Sequence, residues 1–269
     1  MSSDDDFRRL LAHFDLPWAG YRKVRKGVKK RIRRHMQDLG CPDMPSYLAL
    51  VEQRPDAGEQ CRQCLLVTIS RFFRDRRLWD RLRTHWLPVL KQHFPQGLHV
   101  WSAGCAGGEE PYSMAMVWTA SAGSARESSH MRITATDANP ECLERARRGI
   151  YGDGSLREVP DDLRRQFFTP LPRHRWEIDP HLKDLIDWQL HDLLRDLPPS
   201  ADGAFHLVLL RNNLFTYYQG EPLRVALEEI IRTMAPGGLL LLGSHERLPE
   251  VSLPFARDET CPWVYQLMN

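Results

Sequence analysis

Apolar positions recur at helical spacing from Phe7 to about Leu90, interrupted at Pro17, from Gly40 to Pro45 and from Pro55 to Gly58. The pattern predicts a small all-helical domain over residues 1–90. One of its helices covers about 21–39, because Tyr21, Val24, Val28, Ile32, Met36 and Leu39 share a face and Gly40 marks a stop. After Phe94-Pro95-Gln96-Gly97 the pattern changes to short apolar runs alternating with amphipathic ones. Leu98 to Trp101, Ile133 to Thr136, Phe205 to Leu210 and Leu239 to Leu242 read as strands. Helical patterns lie between them at Pro111 to Ala120, Pro140 to Arg148 and Glu221 to Met234. Strands that alternate with helices predict an α/β, doubly wound parallel sheet over 91–269. The stretch of about 151–188 breaks the rhythm with prolines and mixed charge and reads as a small inserted β-subdomain, and Pro236-Gly237-Gly238 reads as a helix-to-strand turn.

Composition narrows the class. With 42% hydrophobic and 27% charged residues among 269, this is a globular chain, and no apolar run approaches the roughly 20 residues that cross a bilayer. The segment Met1-Ser2-Ser3-Asp4-Asp5-Asp6 lacks the basic-then-apolar form of a secretory signal, so a cytoplasmic location is expected. Six scattered cysteines fit free thiols. Cys61-x-x-Cys64 sits in a helical pattern with no second pair and reads as two ordinary thiols, so no metal is expected. The net charge of +2 conceals a basic face formed by Arg22, Lys23, Arg25, Lys26, Lys29, Lys30, Arg31, Arg33 and Arg34 without interleaved acids. Such a face either attracts an acidic protein surface or a nucleic acid, or is simply solvated. No heptad run supports a coiled coil, so a monomer is expected.

The candidate chemistry starts at His99-Val100-Trp101-Ser102-Ala103-Gly104-Cys105-Ala106-Gly107-Gly108-Glu109-Glu110, where an apolar run meets small residues and two carboxylates. A strand feeding a glycine turn lets backbone approach a ligand closely. Neither G-x-G-x-x-G nor a phosphate loop is present, and carboxylates suit a ligand with hydroxyls and positive charge, as S-adenosylmethionine (AdoMet) has. Asp137, ending the second strand, is placed for ribose hydroxyls or for capping the helix near Pro140. Asp192 in Leu190-His191-Asp192-Leu193-Leu194 is placed for an adenine edge or for a turn.

Val67-Thr68-Ile69-Ser70-Arg71-Phe72-Phe73-Arg74-Asp75, the glycine turn through Glu110-Pro111-Tyr112-Ser113, Thr136-Asp137 with Ala146-x-x-Gly149-Ile150-Tyr151, Arg211-Asn212 and Leu242-Gly243-Ser244-His245-Glu246 together resemble the CheR-type chemoreceptor glutamate methyltransferase family. The resemblance covers nearly the whole chain. It implies a Rossmann-like AdoMet-dependent methyltransferase domain, an N-terminal helical domain and an inserted β-subdomain. It also implies transfer of methyl to glutamates of receptor cytoplasmic helices, leaving S-adenosylhomocysteine (SAH). By position it assigns Thr68, Ser70, Arg74, Ala103, Gly104, Glu110, Asp137, Asp192, Leu193, Arg211 and Asn212 to the cofactor, with Glu110 on its amino group and Asp137 on its ribose. Arg74 would hold a carboxylate and Tyr217 would face the methyl group. An acidic receptor helix would dock on Arg22, Lys26, Lys29, Lys30, Arg33 and Arg34, and nucleic acid is not an expected partner. Several positions depart from the family pattern: Thr68 and Asp192 stand where Asn is usual, and His206 where Asp is common. The family's Tyr lies four residues after Asn, a place that falls on Thr216 counted from Asn212 and on Tyr217 counted from Asn213. Methyl transfer to RNA or another acceptor, or AdoMet binding without turnover, are the alternative functions.

Overall fold

The computed structural model describes residues 3–121, 130–200, 204–248 and 253–268, so Met1 and Ser2 of the acidic start lie outside the described residues. The chain divides into two compact units, one of residues 1–68 with 213–224 and one of 69–212 with 225–269.

The first unit is helical, with helices Asp4–His13, Trp18–Tyr21, Arg25–Asp38, Met44–Gln53 and Pro55–Leu65, and the short Leu214–Tyr217. Local sequence sets their ends. Ser3 Oγ accepts from Asp6 N at 3.0 Å and three aspartates fill the first turn, where the helix dipole favours negative charge. Asp43 caps Met44–Gln53 by accepting from Ser46 N at 2.9 Å. Phe7, Leu10, Tyr21, Val28, Ile32, Met36 and Tyr47 form the core. The helix expected over 21–39 is split: Tyr21 ends one short helix, a turn follows, and the basic helix proper is Arg25–Asp38, with Gly40 at φ +69° behind it. Its charge is less uniform than the sequence implied. Lys29 and Arg25 pair with Asp4 at 3.1 and 3.3 Å, so Lys29 lies half-buried rather than on the outer face, and Arg31 donates to the carbonyls of Cys64 and Leu66. Arg22, Lys23, Lys26, Lys30, Arg33 and Arg34 are exposed. Cys61 is buried, Cys64 half-buried, and both are free thiols.

The helical pattern runs to about residue 90, but the first unit stops at Thr68. The reason is packing: Phe72, Phe73, Leu78, Trp79, Leu82, Trp86, Leu87 and Leu90 join the apolar cluster of the second unit with Val100, Met114 and Trp118.

That unit is built on a seven-stranded sheet. Its strands are β1 (Leu98–Ala103), β2 (Met131–Asp137), β6 (Ile186–Leu190), β7 (Phe205–Leu210), β8 (Met234–Leu242), β9 (Phe255–Arg257) and β10 (Val264–Leu267), in the order β6-β2-β1-β7-β8-β10-β9. The strands from β6 to β8 are parallel, and β1, β7 and β8 are buried almost throughout, as fully covered parallel strands require. The sheet is not wholly parallel: β10 runs antiparallel to both β8 and β9, an edge too short to stand out in the sequence. Pro236-Gly237-Gly238 lies inside β8 and not in a turn before it. Pairing passes from Phe205↔Met234 to Leu207↔Leu239, so a bulge with Gly237 at φ +77° absorbs these residues.

The insertion is a separate antiparallel sheet of β3 (Ile150–Gly152), β4 (Phe168–Leu171) and β5 (Arg175–Ile178) in the order β3-β5-β4. It is shorter than expected, because Ile186–Leu190 pairs with β2 in the main sheet.

Candidate active site

Strand order reverses between β1 and β7, and ligands of open α/β sheets bind outside the carboxyl ends of the strands at such a point. β1 ends there in the turn 104–108. Gly104 and Gly108 adopt φ of +81° and +88°, left-handed values that suit glycine, and Ala106 follows at +50°. Two hydrogen bonds of 2.8 Å, from Gly104 N and Cys105 N to Thr136 O, fasten the turn to β2. The Asp137 carboxylate fastens it again, accepting from Ala106 N at 2.8 Å and from Asn139 N at 2.9 Å. Burial pushes the Asp137 pKa up, and those two amides pull it part of the way back. Asn139 caps the helix Pro140–Arg148 through Glu141 N and Cys142 N, so capping does not fall to the Asp137 side chain.

The second feature is a buried charge relay. Glu110 accepts from Ser102 Oγ at 2.8 Å and from Arg211 Nη1 at 3.0 Å. Arg211 Nη2 also donates to Asp75 Oδ2 at 2.9 Å and to the carbonyl of Arg74 at 2.8 Å, and Ser244 Oγ donates to Asp75 Oδ1. Burial pushes Glu110 upward against the pull of Arg211 and Ser102. Asp75 also feels burial, yet Arg211, Ser244 and Arg74 together hold it below the usual carboxylate range. The relay fixes the backbone around Arg74, whose carbonyl also accepts from Trp79 Nε1 at 2.9 Å. Phe73 and Asp75 on either side sit at φ +54° and +63°, conformations that cost about 1–3 kcal/mol each and persist only where surroundings impose them. Among the described residues the half-buried Arg74 guanidinium has no hydrogen bond or ion pair, although its charge is felt by both Asp75 and Glu110.

At the end of β7, Asn212 takes φ +55°, and Glu246 accepts from Asn212 N at 2.7 Å and from Gly243 N at 2.8 Å. Asp192 follows β6 and is used as a turn residue, accepting from Leu194 N at 2.9 Å and pairing with Arg195. His191 N donates to Asp137 O, so the loop of Asp192 and Leu193 starts beside Asp137. The structure thus brings Arg74, Ala103, Gly104, Glu110, Asp137, Arg211 and Asn212 to one end of one sheet. Ser70 is half-buried in the same unit. Thr68 and Tyr217 belong to the helical unit, where the Tyr217 ring lies 5.2 Å from that of Tyr21.

Sequence reasoning gave no role to Ser102, Asp75, Ser244 or Glu246, although all four lie within the motifs. Their contacts reach as far as 169 residues along the chain, and no local pattern encodes such pairings. Among the described residues no group of His, Cys, Asp and Glu is arranged to hold a metal, and no helix is long and apolar enough to cross a membrane.

The residues fit AdoMet. Glu110 and the uncommitted Arg74 offer opposite charges to the ammonium and carboxylate of an amino-acid end, and each Asp137 oxygen retains acceptor capacity for a hydroxyl. A family model described as the SAM-binding domain of CheR methyltransferase matches residues 68–260. The chemotaxis protein methyltransferase of Listeria monocytogenes is 34% identical over 184 residues, 68% of this chain and 67% of that protein. That of Escherichia coli is 28% identical over 236 residues, 85% of this chain and 78% of that protein. Among solved structures, the N-methyltransferase NodS of Bradyrhizobium japonicum, in complex with SAH, is 20% identical at a TM-score of 0.33, covering 68% of this chain and 65% of that chain, a distant likeness.

Proposed function

Given that the chain belongs to the CheR methyltransferase family and uses AdoMet, we propose that it methylates glutamate side chains of a chemoreceptor. Bound AdoMet supplies an electrophilic methyl on a sulfonium. The observation that favours a carboxylate acceptor is that the acids at this end of the sheet are already committed. Glu110 and Asp75 are tied to Arg211, Asp137 to two backbone amides, Glu246 to two more, and Glu109 to Arg145. Among the described residues each of these carboxylates is engaged with a cation or with backbone amides, so none is set aside as a base for an acceptor that had to lose a proton. Glutamate, with a reference pKa of about 4.3, is already anionic and needs only alignment and exclusion of water.

In this reading Glu110 and Arg74 bind the amino-acid end of the cofactor, Asp137 its ribose, and the loop of Asp192 and Leu193 its base, with Arg211 and Asn212 shaping the strand end. Arg211 acts by holding Glu110 and the Arg74 backbone in place. The roles given to Thr68 and Tyr217 belong to the same proposal and rest on sequence position. The exposed Arg22, Lys26, Lys30, Arg33 and Arg34 would draw an acidic receptor helix, whereas Lys29 is occupied by Asp4.

The test measures SAH affinity and methyl transfer to a glutamate-rich receptor cytoplasmic fragment for wild type, Arg74→Ala and the triple variant Lys26→Glu/Lys30→Glu/Arg34→Glu. Arg74→Ala is expected to weaken SAH binding by about ten-fold or more, in line with loss of a charge-assisted pair. The triple variant is expected to raise KM for the fragment and leave SAH affinity alone. Tight SAH binding by the wild type without transfer to any acidic protein would overturn the assignment of the acceptor.

A further inference from the structure

Gly107 differs from its neighbours in the turn. Gly104 and Gly108 have positive φ, but Gly107 does not, so its backbone is one that other residues adopt. What excludes a side chain is the guanidinium of Arg145, which occupies the space a Cβ on Gly107 would take. Arg145 projects from the helix Pro140–Arg148 and donates from Nη2 to Glu109 Oε1 at 2.7 Å. The Glu109 side chain is fully buried, and among the described residues its second oxygen has no hydrogen-bond partner. Tyr151 on β3 completes the arrangement, donating from its hydroxyl to Gly107 O at 2.7 Å.

The turn is therefore held from both sides. Asp137 takes Ala106 N on one, while Arg145 covers Gly107 and Tyr151 holds its carbonyl on the other. We propose that Arg145, anchored by buried Glu109, is a positioning residue that clamps the glycine turn and so sets the affinity for the cofactor. This inference rests on the cofactor site described above.

Glu109 is buried first against solvent and only second compensated by Arg145, which is the cation that faces it. Ser155 Oγ lies 3.4 Å away, and the Tyr151 hydroxyl is the other titratable group near it. Without Arg145 the Glu109 carboxylate would stand buried and uncompensated, and the turn would shift toward whatever could solvate it. Replacing Glu109 by Gln in the same molecule removes that charge. A purely structural contribution of the Arg145 stem would not be rescued in this way. The clamp can also be forced open from the other side, since an alanine at Gly107 must displace the guanidinium.

SAH binding is measured by calorimetry at pH 8 for wild type, Arg145→Met, Gly107→Ala and Arg145→Met/Glu109→Gln, with thermal unfolding of each. Both single variants are expected to bind about ten-fold or more weakly, and the double variant to recover to within about three-fold of wild type. In Arg145→Met the loss should shrink as pH falls toward 6 and Glu109 takes a proton, while wild type stays flat. Wild-type affinity in Arg145→Met would overturn the clamp, as would a folded double variant no better than the single one. Failure of the wild type to bind SAH would instead strike the cofactor site itself.

Discussion

Replacing Arg211 by Met removes the centre of the Glu110–Arg211–Asp75 relay and keeps most of the side-chain volume. The Arg211 side chain is 2% exposed, that of Glu110 12% and that of Asp75 24%, so both carboxylates would remain where water reaches them poorly. Breaking a buried pair by removing one partner costs about 3–5 kcal/mol, and the separate hydrogen bonds of Arg211 do not add to that figure because the orphaned acids relax by taking up protons. At about 2–4 °C per kcal/mol for a domain of this size, the melting temperature should fall by roughly 6–20 °C at pH 8. The sign of the pH dependence follows from Glu110. A carboxyl whose folded pKa stands above its unfolded value holds its proton more tightly when folded, so it adds stability at low pH that is lost as pH rises through the folded value. Loss of Arg211 raises that pKa further, and the deficit should narrow between pH 8 and pH 5.5. Circular dichroism melts at the two values provide the assay. A fall of less than about 2 °C at pH 8, or a deficit equal at both, would show that Arg211 does not compensate buried charge.

Asp137→Asn can accept only one of the two backbone N–H groups and presents a donor to the other, so SAH affinity measured by calorimetry should drop by about 1–3 kcal/mol. At Gly20, within the helical unit, a Cβ would clash with Thr216 O, so Gly20→Ala should displace the Leu214–Tyr217 turn and lower stability by about 1–3 kcal/mol in a denaturant titration. His206 accepts His99 N at 3.0 Å through Nδ1, and burial, His99 and His93 depress its pKa. Its stabilising contribution is complete above about pH 6.5 and is lost as pH falls toward the folded value, so His206→Gln should reduce the fall in melting temperature between pH 7 and 5.5.

Much of the architecture is legible because β1, β7 and β8 are buried, largely apolar runs, β2 sets apolar residues at alternate positions, and the crossover helices carry their own periodicity. The edge strands β9 and β10 are not, since three or four residues among prolines and charges give no period. The helical pattern does not mark the unit break at Thr68, because helical spacing at Leu78, Leu82 and Leu87 tells that a face is buried and not what buries it. In the site, Asp137 stands out at the end of β2 and Glu110 just behind the glycine turn that follows β1, places where position alone suggests a ligand. Arg145 does not: its partner lies 36 residues away, and only the fold reveals that Gly107 is small to make room for it.

Methyl transfer to receptor glutamates is tested by incubating the protein with methyl-labelled AdoMet and a chemoreceptor cytoplasmic fragment, then locating the label by peptide mass spectrometry. Methyl groups are expected on glutamate side chains, released as methanol in mild alkali. Label that resists alkali, or that sits on lysine or RNA while glutamates stay unmodified, would contradict that expectation.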